Sequence, residues 1–329
     1  MAARRAMDFA MGAERNQVGM ETLDYLQSEV RRIAGIHLRV PVGAVLDDLV
    51  HVQDRTFRLL ESGRARPAQI RELYVLATLE CGMLAKASHD LGEPQAAMAQ
   101  ARTAAVCADQ AEHAALRAWV RGLQSMIAYW GPRPEDALHY ARHGAALAEG
   151  LRGTVAVWLA AHEARAAALL GDAEAVWAAD RRAETLRERT EPDDLDSLGG
   201  NFFFPRARQM YSSVEAHVLL RADGPDLLRR AEDAVGGLSD ATSPSWSFAA
   251  EAGCRANLAV ARLRTGDVEG TAEAMRPVLD LPPARRNAGI VGSVHRVRAL
   301  LTSPGSGPAG DLREEIAAFS TRRGPALPV

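Results

Sequence analysis

The residues best placed to do chemistry lie in the stretch LGGNFFFPRARQMY, residues 198–211. Arg206 and Arg208 follow Pro205 at a predicted helix start, where extra cations oppose the helix dipole unless an anion or carboxylate meets them. That misfit marks a candidate site, with Tyr211 one turn further on. Three adjacent phenylalanines precede it, and Phe202, Phe203 and Phe204 cannot all enter one core from an irregular segment. Phe203 and Phe204 are therefore candidates for the apolar wall of a groove. Elsewhere, Arg117, Arg121 and Gln124 recur at i, i+4 and i+7 on one polar face of a predicted helix from Leu116 to Trp130. Such a face suits an anion, a peptide or a polar ligand. Trp158, His162 and Arg165 stand at similar spacing on a later helix.

Other constellations are incomplete. His139 and His143 share a helix face at i and i+4, as metal pairs do, but no Glu follows His139 and no third ligand stands at helical spacing. Cys107, in AAVCADQA, is spaced with Ala104 and Ala111 as a small core residue, without the electropositive setting a nucleophilic thiol needs. Glu191, Asp193, Asp194 and Asp196 lack the regular alternation of a calcium loop and read as a solvated loop or helix cap. No catalytic residue, metal or cofactor is assigned.

These candidates sit on a chain of helical punctuation. From Pro67 onward, a helix-length segment ends in glycine, a Pro, Asp or Glu follows, and an Ala-rich helix begins: LGEPQAAMAQA, WGPRPEDALHYA, LGDAEAVWAA, DGPDLLRRA, TGDVEGTAEA. The glycines are Gly92, Gly131, Gly171, Gly224 and Gly266, at intervals of 39, 40, 53 and 42 residues. A hairpin of two helices cannot bury its own apolar face, so neighbours must stack. The expectation is an all-α fold of helical-hairpin repeats forming an α-solenoid. The unit resembles the tetratricopeptide (TPR) repeat, with Ala97 five residues after Gly92, although its period is near 40 rather than 34. The long interval holds an insertion at about 190–206, and insertions in such arrays collect on one face, frequently the binding face. Before the repeats, helices are predicted over 2–17, Met20 to Leu38 and Val42 to Ser62. After them come a helix from Ile290 to Leu301, a linker SPGSGPAG, a capping helix from Asp311 to Arg322 and a disordered tail. The predicted division is 1–66 for N-terminal helices packing on the solenoid, 67–302 for the repeats and 303–329 for linker, cap and tail.

A net charge of −3 lacks the basic excess of a self-sufficient nucleic-acid binder. All cations but Lys86 are arginine. Cys81, Cys107 and Cys254 are odd in number and far apart, which fits buried reduced thiols. Every apolar run is broken by charge before the roughly 20 residues a bilayer requires. No membrane association and a cytoplasmic location are expected.

The segments RELYVLATLECGMLAKASHDLG, AALRAWVRGLQSMIAYW and GGNFFFPRARQMY resemble the C-terminal TPR-like sensor region of actinobacterial helix-turn-helix transcriptional regulators of the XRE, or λ-repressor-like, class. In that family a DNA-binding domain precedes the helical region, and Met1 falls after the point where it would end. The resemblance implies a regulatory sensor module that does not bind DNA by itself and takes a small molecule or peptide in its concave groove. The residues expected there are Arg117, Arg121, Gln124, Trp158, His162, Phe203, Phe204, Arg206, Arg208 and Tyr211. A protein partner or homodimer is a further expectation. Two alternatives stand beside it: a helical biosynthetic enzyme on the same fold, or an interaction adaptor with an open groove.

Overall fold

The computed structural model describes residues 18–222, 225–301 and 307–321. The expected helix over 2–17, the turn at Gly224 and the tail lie outside them. The described residues form fourteen α-helices and no strand. They are α1 (Met20–Ile36), α2 (Leu46–Glu61), α3 (Pro67–Asp90), α4 (Pro94–Gln110), α5 (Ala114–Tyr129), α6 (Pro134–Leu147) and α7 (Val155–Leu169). There follow α8 (Ala173–Glu188), α9 (Arg206–Leu219), α10 (Pro225–Leu238), α11 (Phe248–Arg264), α12 (Val268–Leu279), α13 (Ala288–Leu300) and α14 (Pro308–Thr321). The helix expected from Val42 to Ser62 is split: Val42–Ala44 is a 3-10 turn and α2 starts only at Leu46.

The glycine signals close helices. Gly92, Gly171 and Gly266 take φ of +84°, +74° and +81°, which a side chain would strain. After each, the next amide reaches back to a carbonyl five residues earlier: Glu93 to Ser88, Asp172 to Ala167 and Asp267 to Arg262, at 2.9–3.1 Å. Asp172 and Asp267 then cap the following helix, accepting from Ala175 N and Gly270 N at 3.0 and 2.8 Å.

Successive helices pack on one another, and the contacts sort them into two rows. The odd-numbered helices α3, α5, α7, α9, α11 and α13 each touch the next odd one, while α4, α6, α8, α10 and α12 pack outside their partners. Alanines make the seam between rows: Ala97, Ala101, Ala104 and Ala108 on α4 are fully buried, as are Ala137 and Ala141 on α6. The inner row bends round until α13 touches α3, where Asn287 Nδ2 donates to Asp90 Oδ1 at 3.1 Å across 197 residues of chain. Arg39, just after α1, closes the same seam by donating to the carbonyls of Ser243 and Ala241 at 2.6 and 2.9 Å.

One core group makes a pH-dependent prediction. Glu80 on α3 is fully buried, with one oxygen accepting from Thr56 Oγ1 at 2.8 Å and the other without a partner. Burial pushes its pKa up from 4.5 to about 7. The folded state therefore holds the proton more tightly than the unfolded chain, and stability falls as pH rises through that window. Glu80→Gln, neutral throughout, should match the parent near pH 4.5 and exceed its stability by up to about 3 kcal/mol at pH 8. Urea titrations at the two pH values check this, and an equal difference at both would mean that Glu80 does not ionise in this range.

Candidate functional site

The segment between α8 and α9 is tied down at several points. Asp196 is buried and accepts from Thr154 N at 3.0 Å and Asp193 N at 3.2 Å, as well as from the Thr154 hydroxyl. Burial still raises its pKa, because these bonds only partly offset the lost hydration. Thr154 Oγ1 in turn accepts from Phe204 N at 2.9 Å, and Arg187 donates to Phe204 O at 2.6 Å. Trp119 Nε1 donates to Asn201 O at 3.1 Å. The segment thus seats on α5, α7 and α8, and it carries Phe202 and Phe204 into buried positions.

Beneath it the inner helices enclose a cavity of about 150 Å³, bordered by α3, α5, α7, α9, α11 and α13. Its aromatic wall follows one construction. Four of its aromatic side chains lie against a glycine of another inner helix. A Cβ added there would collide with them, standing 2.3 Å from Trp119 at Gly82, 2.5 Å from Trp158 at Gly122, 2.5 Å from the Tyr211 hydroxyl at Gly253 and 2.9 Å from Trp130 at Gly292. Trp119 also packs on Phe202, with ring centroids 4.6 Å apart, and lies near parallel to Trp158 at 6.3 Å.

Three polar arrangements interrupt this wall. In the first, Glu215, with no exposed surface, is shared between Arg165 at 2.7 Å and Arg296 at 2.5 Å and also accepts from Tyr129 Oη at 3.0 Å. Burial alone would raise the Glu215 pKa, but the two guanidinium groups outweigh it and hold the carboxyl below its usual range. Burial raises the pKa of Tyr129 and, further, that of Tyr211. In the second, Lys86 pairs with Asp90, which also holds Asn287. In the third, Arg208 meets no carboxylate among the described residues: its Nη2 donates to Gly200 O at 2.7 Å and to Phe203 O. Burial without a counter-charge pushes its pKa down to about 10.

Among the described residues, four buried polar atoms of cavity-lining residues have no hydrogen-bond partner: His162 Nδ1, Arg165 Nε, Asn201 Nδ2 and Arg208 Nε. Such groups cost roughly 1–3 kcal/mol each when left unpaired, so their concentration around one space is a specific feature. Burial keeps the cavity histidines neutral: His89 is pushed down to about 4 and His162 well below its ordinary value.

A nucleophile needs a base in hydrogen-bond reach. Outside the cavity, Ser213 Oγ and His217 Nε2 both bond to Asp180, at 2.7 and 2.8 Å, rather than to each other. Among the described residues no group of three or more His, Cys, Asp or Glu is placed to hold a metal. Nor is any helix among them long and apolar enough to cross a membrane.

Of the ten residues expected in the groove, the cavity brings together Trp158, His162, Phe204, Arg208 and Tyr211. The others lie elsewhere. Arg117 pairs with Asp109 at 3.0 Å, and Arg121 donates to Gln124 Oε1 at 2.8 Å. Those three are on the wrong side of α5, whose cavity face is Trp119, Leu123 and Met126, two residues and more than half a turn away. Arg206 is half-exposed and pairs with Glu184, which supplies the carboxylate its position at the helix start demands. Phe203 contributes its carbonyl, not its ring, by accepting from Arg208. Asp196, expected in a solvated loop or as a helix cap, is buried and accepts from the amide of Thr154, just ahead of α7, so it anchors the segment. The cavity also takes Trp119, Trp130, Lys86, Asp90, Asn201 and Asn287, which are not among the residues expected there from the sequence. Two signals point to them: Lys86 is the only lysine of the chain, and Trp119, Leu123, Met126 and Trp130 form a large-residue stripe at helical spacing.

The chain matches no protein-family model, and no curated protein matches it in sequence.

Proposed function

We propose that this chain is a sensor module in which TPR-like hairpins, curled as a short α-solenoid, hold a small molecule in the space enclosed by their inner helices. The observation that carries this reading is the cavity itself: aromatic on most sides, with four buried polar atoms that lack a partner in the protein. A largely apolar pocket with a few convergent polar groups is the usual form of a small-molecule site. Its volume and its cover of Phe202 and Phe204 favour a compact ligand over an extended peptide. In keeping with the resemblance noted in the sequence, the bound and free forms would differ in partner contacts, as in a regulator's sensing region. That coupling requires different ligand affinity in two states. The chain would not bind DNA by itself.

Native mass spectrometry of the freshly purified protein tests the pocket. The expected result is a discrete excess mass that disappears on denaturation, or, for protein purified empty, a rise in melting temperature on adding a deproteinised cell extract. The protein mass alone, with no thermal shift from the extract, would overturn the reading.

A further inference from the structure

The class of molecule follows from the charges in the wall, and this inference rests on the reading of the cavity as a small-molecule site. We infer that the ligand is a planar aromatic acid, its carboxylate held at Arg208 and Asn201 and its ring among the aromatic side chains. Arg165 and Arg296 already share Glu215, and Lys86 already has Asp90. Arg208 is the cavity cation that meets no carboxylate among the described residues; two carbonyls, those of Gly200 and Phe203, hold its Nη2 in place. Carbonyl oxygens orient a guanidinium without neutralising it, so the Nε side keeps both its hydrogen and its charge for something else. Asn201, next to Gly200 in the chain, has its carbonyl taken by Trp119 and its Nδ2 unpartnered.

Unpartnered donors on two side chains that line the same cavity suit the two oxygens of a carboxylate, and charge-assisted bonds of this kind are the strong ones. A phosphate dianion would call for a second free cation beside Arg208, and the nearest candidates are committed to Glu215 and Asp90. The body of the ligand is set by the walls. Trp119, which donates to the Asn201 carbonyl, packs on Phe202 and beside Trp158, and with Phe204 these line the cavity, offering faces and edges to a flat ring. At about 150 Å³ the space takes a molecule of roughly ten non-hydrogen atoms, counting one water-sized sphere for each.

Calorimetric titration of the protein, freed of any retained molecule, with benzoate, phenylacetate and indole-3-carboxylate tests this. Their neutral amides serve as isosteres. At least one acid should bind ten-fold or more tightly than its amide. Arg208→Met should abolish the preference, Arg208→Lys should restore part of it, and Arg117→Ala, outside the cavity, should leave it intact. Should Arg208→Met fail to fold, Asn201→Ala, which keeps the carbonyl that holds Trp119, should weaken acid binding several-fold and leave amide binding unchanged. Amides that bind as well as the acids, or no binding by any of the acids, would overturn the inference. Binding of the amides alone would do so while leaving the pocket standing, whereas the mass spectrum described above decides the pocket by itself.

Discussion

Replacing Glu215 with alanine should lower the stability of the fold by about 3–5 kcal/mol, the cost of stranding a buried charge. Glu215 has no exposed surface and joins four helices: its own α9, α7 through Arg165, α13 through Arg296 and α5 through Tyr129. Without it, Arg165 is left 6% exposed, stacked 4.1 Å over the Tyr129 ring and short of its only carboxylate. Four inner helices tied to one another through a single carboxylate should lose melting cooperativity along with stability. Glu184→Ala provides the contrast. It also breaks a glutamate–arginine pair, but both partners are about half exposed, so solvent screens the loss to roughly 1 kcal/mol or less. Urea denaturation of the two variants measures the difference. Equal losses would mean that the Glu215 network contributes no more than a surface pair.

The second large effect is expected at Gly200, where the α8–α9 segment meets the end of α1. Its φ is +54°, and a Cβ there would stand 2.0 Å from the backbone oxygen of Ala34. A side chain in the left-handed region costs roughly 1–2 kcal/mol. The clash adds to that cost, because the obstacle is backbone and cannot turn aside. Gly200→Ala should therefore lose about 3 kcal/mol or more, or lift the segment off α1. Lifting it would release Asn201 O from Trp119, uncover Phe202 and take away one of the two carbonyls that orient Arg208. Gly150→Ala separates the two contributions, since Gly150 has φ +80° with nothing within 4 Å of the added carbon and should show the conformational cost alone. Limited proteolysis across 189–205, read beside tryptophan fluorescence, reports whether the segment has moved. Matching behaviour of the two variants would dismiss the Ala34 contact as a determinant.

The helices were legible because their signals are local. The glycine that closes α3, α7 or α11 needs only its own left-handed φ and the carbonyls of the preceding turn, and the aspartate that opens α8 or α12 needs only the amides three residues on. The irregular stretch around 198–205 was legible for the same reason, since paired glycines and a proline break helical periodicity wherever they occur. Arg208, Tyr211, Phe204, Trp158 and His162 could be singled out by residue type. What type cannot convey is helix phase. Arg117, Arg121 and Gln124 form as orderly a polar stripe as any ligand face, and nothing local tells that the neighbouring stripe, Trp119, Leu123 and Met126, is the one turned inward.

The order of helices, their turns and the break between α8 and α9 were thus determined by the sequence alone, through backbone preferences acting over a few residues. The tertiary structure decided the rest: the closure of α13 on α3, the glycine beds that seat Trp119 and Trp158, and the burial of Arg208 without a carboxylate. Each of these depends on groups up to 197 residues apart meeting at contact distance. Only the summed packing angles of the intervening helices set that distance.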